Sequence, residues 1–76
     1  MVRGKFKLDQ ITANAGQSGK QLTFKAVCND GTPENERFHR YTPSGSLSMY
    51  VDSEPALAQF ELGKEYYLDF TPVPAS

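Results

Sequence analysis

The sequence has one cysteine, one histidine and no long apolar run, and each scarcity excludes a class of protein. Cys28 alone cannot form an intrachain disulfide, which secreted domains of this size usually need, so a reducing cytoplasm is expected. No apolar stretch approaches the length of a membrane span or of the core of a signal peptide. We therefore expect neither export nor membrane insertion.

Eight basic residues against nine acidic residues give a formal net charge of −1. Proteins that bind duplex nucleic acid usually carry a basic excess, because their affinity depends on neutralising phosphates, so duplex binding is disfavoured. His39 is the single histidine that could activate a nucleophile, and one Cys with one His falls short of a zinc ligand set. We predict no enzyme activity, no metal site and no cofactor.

A chain of 76 residues with 38% hydrophobic residues can build one thin core. We predict a single small β domain over residues 1–72. The tail over residues 73–76 follows Pro72 and contains Pro74, and because proline donates no backbone hydrogen bond, the tail is expected to fray.

Period-two alternation of apolar and polar residues predicts four strands, over residues 5–13, 21–29, 46–52 and 64–71, with a short fifth strand over 37–42. The alternation changes phase after Leu8, which indicates a β-bulge or strong bend in the first strand. Residues 14–20 are rich in turn formers and predict a hairpin. Asp52 or Ser53 as a cap, with Leu57 and Phe60 three residues apart, predicts one short helix near residues 54–61.

These elements predict a mainly β fold, a small five-stranded antiparallel barrel or half-barrel that is OB-like or SH3-like. A flat sheet of this size would leave two bare edges and one uncovered face, which favours closure. Cys28 is in phase with Leu22 and Phe24, so it is expected to be buried. If the first and last strands pair, Lys5 and Lys7 can face Glu65 and Asp69 across the ladder.

Residues 37–46 concentrate two guanidiniums, an imidazole, two aromatic rings, three hydroxyls and a glycine. Arginine binds phosphate as a fork, tyrosine can stack on a base, and hydroxyls can donate to the remaining oxygens. The candidate ligand-binding residues are Arg37, His39, Arg40, Tyr41, Thr42, Ser44 and Ser46. An equally concrete alternative makes Phe38 a core residue, pairs the two arginines with Glu34 and Glu36, and leaves Pro43-Ser44-Gly45 as an ordinary turn.

The segments 34–38, 41–46 and 60–72 resemble small accessory proteins of tailed bacteriophages, and the resemblance extends over most of residues 5–72. It implies a protein made in an infected bacterium, in the host cytoplasm or associated with the virion. Such proteins are commonly virion or replication accessories, or inhibitors of bacterial defence, including proteins that sequester nucleotide messengers.

The leading hypothesis is a non-enzymatic phage-type β-barrel that counters host defence by sequestering a nucleotide or cyclic nucleotide signal. One alternative is a virion structural or decoration protein that forms homo-oligomers through its edge strands, with Tyr50 and Tyr67 as anchors. Another is a single-stranded nucleic-acid-binding module that stacks bases on exposed aromatic rings. A protein inhibitor of a host enzyme is a further possibility that the residues do not rank.

Overall fold

The computed structural model describes residues 2–74, which form four strands and two helices. In chain order these are β1 (Val2–Ala13), β2 (Lys20–Ala26), α1 (Pro33–Tyr41), β3 (Ser46–Val51), α2 (Glu54–Leu57) and β4 (Glu65–Phe70). The strands form one antiparallel sheet in the order β3-β2-β1-β4. Within the described residues the sheet is open, with β3 and β4 at its edges, so neither the fifth strand nor the barrel is found.

The segment predicted as a fifth strand, residues 37–42, lies instead in α1 and its carboxyl cap. Thr32 caps the helix by accepting a hydrogen bond from the Asn35 amide at 3.4 Å, and Pro33 opens the first turn. The helix dipole is stabilised by acidic residues in the first turn and by basic residues in the last turn, and α1 has two of each, with His39 and Arg40 as the basic pair. These start and end signals outweigh a period-two pattern only six residues long.

The predicted irregularity in the first strand is confirmed as a β-bulge. Leu8 lies opposite Phe24, but the next pair joins Gln10 to Thr23, so Asp9 is the extra residue. The bulge keeps Ile11 on the same side of the sheet as Leu8. The hairpin predicted after this strand is also present, because Ala13 pairs with Lys20.

One face of the sheet is apolar and carries the core, in which Phe6, Leu8, Leu22 and Phe24 are buried. The chain between β3 and β4 crosses this face from one edge strand to the other and packs Phe60 and Leu57 against it. The helix predicted near residues 54–61 is confirmed in position, although regular α-helix ends at Leu57.

Helix α1 packs against the opposite, polar face of the sheet. Val27 is buried on this side, whereas Cys28 is exposed, which corrects the prediction that Cys28 belongs to the core. The reason is that β2 ends at Ala26, so the alternation of the strand no longer sets the direction of the following side chains.

The first and last strands pair, but only part of the expected cross-strand ion pairing forms, because Lys7 makes no salt bridge within residues 2–74. Lys5 Nζ lies 3.5 Å from Glu65 Oε1, while Arg3 rather than a lysine holds Asp69, with 2.6 Å between Arg3 Nε and Oδ1. The predicted frayed tail lies outside the described residues beyond Pro74. Over residues 2–74 the helices are all too short to cross a bilayer.

Candidate functional site

The predicted ligand-binding segment runs from the second half of α1 to the start of β3. Arg37, Arg40 and Tyr41 lie three and four positions apart on the helix, which places them on one side of it, and all three are exposed. The Tyr41 side chain is 75% exposed, an unusually high value for an aromatic residue. We call these three residues the outer face of α1.

The other four predicted residues do not join the outer face of α1. His39 is half-buried, and its Nδ1 makes no hydrogen bond within residues 2–74. Thr42 forms the carboxyl cap, where its amide donates to the Phe38 carbonyl at 2.8 Å. Ser44 lies exposed in the following turn, and Ser46 is the first residue of β3. The structure thus brings together three of the seven predicted residues.

The alternative interpretation of the segment is correct in part. Arg40 approaches Glu36 at 3.4 Å, one helical turn earlier, as this interpretation expects, whereas Phe38 is half-buried on the polar side of the sheet, where it packs on Tyr67 with 6.0 Å between ring centroids, and is not part of the core. Glu34, which was the expected partner of an arginine, instead holds Lys5 at 2.9 Å. An exposed pair such as Arg40 and Glu36 is weak, so both guanidiniums of the outer face can take other partners.

Glu34 is the main attachment of α1 to the sheet. Its carboxylate accepts hydrogen bonds from the Tyr67 hydroxyl and from Lys5, and these two contacts hold the pKa of Glu34 below its usual range. The same contacts raise the pKa of Lys5 and the pKa of Tyr67, because Glu34 favours the protonated form of both. The helix is therefore fixed to β1 and β4 by one carboxylate with two donors.

Asn35 is a second attachment, and the sequence analysis missed it. Its side chain is 2% exposed, and Nδ2 donates to Asp30 Oδ2 at 3.1 Å and to Glu65 Oε2 at 2.9 Å. Thr32 holds Asp30 in place, and the bonds from the hydroxyl and amide of Thr32 lower the pKa of Asp30. The run Thr32-Pro33-Glu34 was the available signal, because it marks a helix start and would have placed Asn35 in the first turn.

A cavity of about 250 Å³ lies beside this attachment, between the start of α1 and the strands β1 and β2. Lys7 and Lys25 both line it and stand directly opposite each other in the sheet, with Lys25 3.7 Å from Asp9. No group of three or more His, Cys, Asp or Glu side chains in the described part of the chain could hold a metal ion. None of the seven predicted ligand-binding residues lines this cavity.

The polar sheet face is a poor platform for a nucleic-acid strand. Arg3 is paired with Asp69, and Lys5 lies beneath α1 against two carboxylates. Binding to nucleic acid gains affinity when protein cations displace counterions from the phosphates, and cations that are already paired with carboxylates displace few of them. The pairing of these two cations within the protein therefore counts against single-stranded nucleic-acid binding on this face.

Comparisons with protein-family models, curated proteins and solved structures find no match to this chain. The resemblance to phage accessory proteins thus stays an expectation from the sequence.

Proposed function

We propose that this protein is a non-enzymatic ligand-binding protein that holds a phosphate-bearing nucleotide on the outer face of α1. The observation that carries the proposal is the Tyr41 ring, 75% exposed and adjacent to Arg40, with Arg37 one helical turn earlier. Two guanidiniums and one free aromatic ring on a single helical face match the two parts of a nucleotide, its phosphate and its base.

The chemistry of the three side chains supports this assignment. Arginine stays charged at any physiological pH and binds phosphate oxygens through two parallel N–H donors. A tyrosine that is 75% exposed can stack on a purine or pyrimidine without disturbing the fold, and such stacking contributes about 1–3 kcal/mol per base. Glu36 is the group a phosphate must displace, and its exposed contact with Arg40 is weak.

The biological role follows from the resemblance to phage accessory proteins. In that setting the ligand is a linear or cyclic nucleotide signal of a bacterial defence system, and binding removes it from solution in the host cytoplasm. Sequestration requires binding without turnover, so this role needs no catalytic cleft.

The test is titration calorimetry with a panel of linear and cyclic nucleotides, with native mass spectrometry to count bound ligands. Arg40→Ala and Tyr41→Ala are expected to weaken the binding of a nucleotide from the panel by at least about tenfold each, the effect of losing about 1.4 kcal/mol. Lys64→Ala is the matched control, because Lys64 is an exposed cation outside this face with no ion pair within residues 2–74. Binding by none of the panel, or equal loss in the control, would overturn the proposal.

A structural role is the second candidate, and a separate observation favours it. The apolar face of the sheet carries exposed side chains that include Val2 and Phe70, whose relative exposures are 68% and 57%. Surface of this kind is typical of proteins that assemble with other subunits. The proposed assembly does not involve the outer face of α1, so the two roles are compatible.

A further inference from the structure

The apolar face of the sheet is covered at one end only. Phe60 packs there against Phe24 and Tyr66, with ring centroids 5.8 and 5.4 Å apart. At the other end Val2 lies opposite Phe70, and Leu68 occupies the next position on the same face. We call the exposed Val2 and Phe70, together with the half-buried Leu68, Leu47 and Met49 that pack beside them on the core, the open apolar face.

Register shows that these side chains share one side of the sheet. Residues directly opposite each other in neighbouring strands point to the same face, and the pairs here are Val2 with Phe70, Phe24 with Leu47 and Leu22 with Met49. A depression of about 180 Å³ runs between Leu47, Met49 and Leu68, so the surface has relief that another apolar surface can fill.

The chain exposes more surface than a compact protein of its mass. Its accessible area is 5649 Å², whereas a folded monomer of 8.5 kDa exposes about 4,650 Å². Its radius of gyration is 14.2 Å, against about 11 Å for a compact domain of this length. Summed over the whole surface the excess is about 1,000 Å², of the same order as the 800 Å² or so that each partner buries in a stable dimer.

We propose that a second copy of this chain covers the open apolar face, so that two sheets pack face to face as a symmetric dimer. A two-fold axis places the same patch on both sides of the contact, and the patch carries no charged side chain, so pairing buries no unpaired charge. Sheets packed in this way lie about 10 Å apart with interdigitating side chains. This partner differs from the edge-strand association expected from the sequence, which pairs backbone groups and leaves the apolar surface in water.

The experiment is sedimentation velocity on the full chain over a range of concentrations, with Phe70→Asp as the test variant. The wild-type protein is expected to sediment as a species of about 17 kDa, twice the 8.5 kDa chain. Phe70→Asp is expected to weaken dimerisation by about 30-fold or more, because it replaces an exposed aromatic anchor of the interface by a charge. Val2→Lys is a second variant at the position opposite Phe70, and both sites are exposed enough to leave the monomer folded.

Tyr41→Asp is the matched control, because it also replaces an exposed aromatic residue by aspartate but on the side of the molecule that carries α1. It should sediment as the wild-type protein does. Circular dichroism on each variant separates loss of the dimer from loss of the fold. A wild-type monomer at every concentration, or a dimer that both Phe70→Asp and Val2→Lys leave intact, overturns the proposal, and neither result bears on nucleotide binding.

Discussion

Replacing Asn35 by alanine tests whether the attachment of α1 stabilises the fold. The substitution removes two hydrogen bonds from a buried amide to carboxylates, each contributing about 1.5–3 kcal/mol. It also removes Asn35 Oδ1, a buried oxygen with no hydrogen-bond partner in the described residues, which offsets about 1–3 kcal/mol. Taking the middle of each range, the net expected loss is about 2–3 kcal/mol, a large part of the 4–11 kcal/mol or so that a chain of this length has.

Thermal and urea unfolding followed by circular dichroism measure this loss. A destabilisation of about 2–3 kcal/mol lowers the Tm of so small a domain by about 8–24 °C. Asn35→Asp separates the carboxylate contacts from simple packing, because it sets a third carboxylate beside Asp30 and Glu65. The pKa of the introduced carboxyl is expected to be raised, so the variant should be less stable than Asn35→Ala near neutral pH and recover relative to it as the pH falls.

Two results would refute this reasoning. An alanine variant within about 0.5 kcal/mol of the wild type would mean that the bonds to the two carboxylates contribute no more than an ordinary surface contact. An aspartate variant whose deficit does not shrink in acid would mean that the carboxylates do not lie beside position 35 in solution.

Two further predictions concern the sheet and the ion pairs. Gly19→Ala should cost about 1–3 kcal/mol in urea unfolding, because a Cβ there would lie 2.6 Å from the Val51 carbonyl oxygen; wild-type stability would contradict that packing. The lowered pKa of Glu34 contributes stability that is fully present above the usual pKa of a glutamate and is lost as the pH falls through the lowered pKa. In Glu34→Gln the Tm should therefore fall less steeply than in the wild type as the pH is lowered. The raised pKa of Lys5 acts in the opposite sense, because its contribution to stability is lost only in strong alkali. A Glu34→Gln variant whose Tm falls with acid as steeply as that of the wild type would contradict the role of Glu34 in holding α1.

The four strands could be predicted because each has one face in the core and one face in water or under a helix. In such a strand apolar and polar residues alternate, as they do in β3, where Leu47, Met49 and Val51 are the apolar positions. Closure into a barrel is set by how the edge strands meet, which no local pattern records. We expected that a flat sheet would leave one face uncovered, and the open sheet of the structure does leave part of its apolar face exposed.

Helix α1 was missed because a nine-residue helix gives only two turns of periodicity, while Phe38 and Tyr41 resemble strand residues. Once the helix is known, the spacing of Arg37, Arg40 and Tyr41 places all three on one side, so the core of the candidate site was readable in principle. The contact of Asn35 with Glu65 joins residues 30 positions apart, and such a contact depends on the tertiary fold.

The two proposed surfaces lie on opposite sides of the sheet, since α1 packs on the polar face and the dimer contact uses the apolar face. Burying the open apolar face therefore leaves Arg37, Arg40 and Tyr41 of both copies in solvent, facing away from each other. A dimer built in this way carries two ligand sites, neither of which contributes to the interface, so nothing in the contact itself couples them. Under these two proposals, dimerisation would stabilise a thin, open domain, whereas the affinity for the proposed ligand would depend on how firmly Glu34 and Asn35 hold α1 on its own sheet.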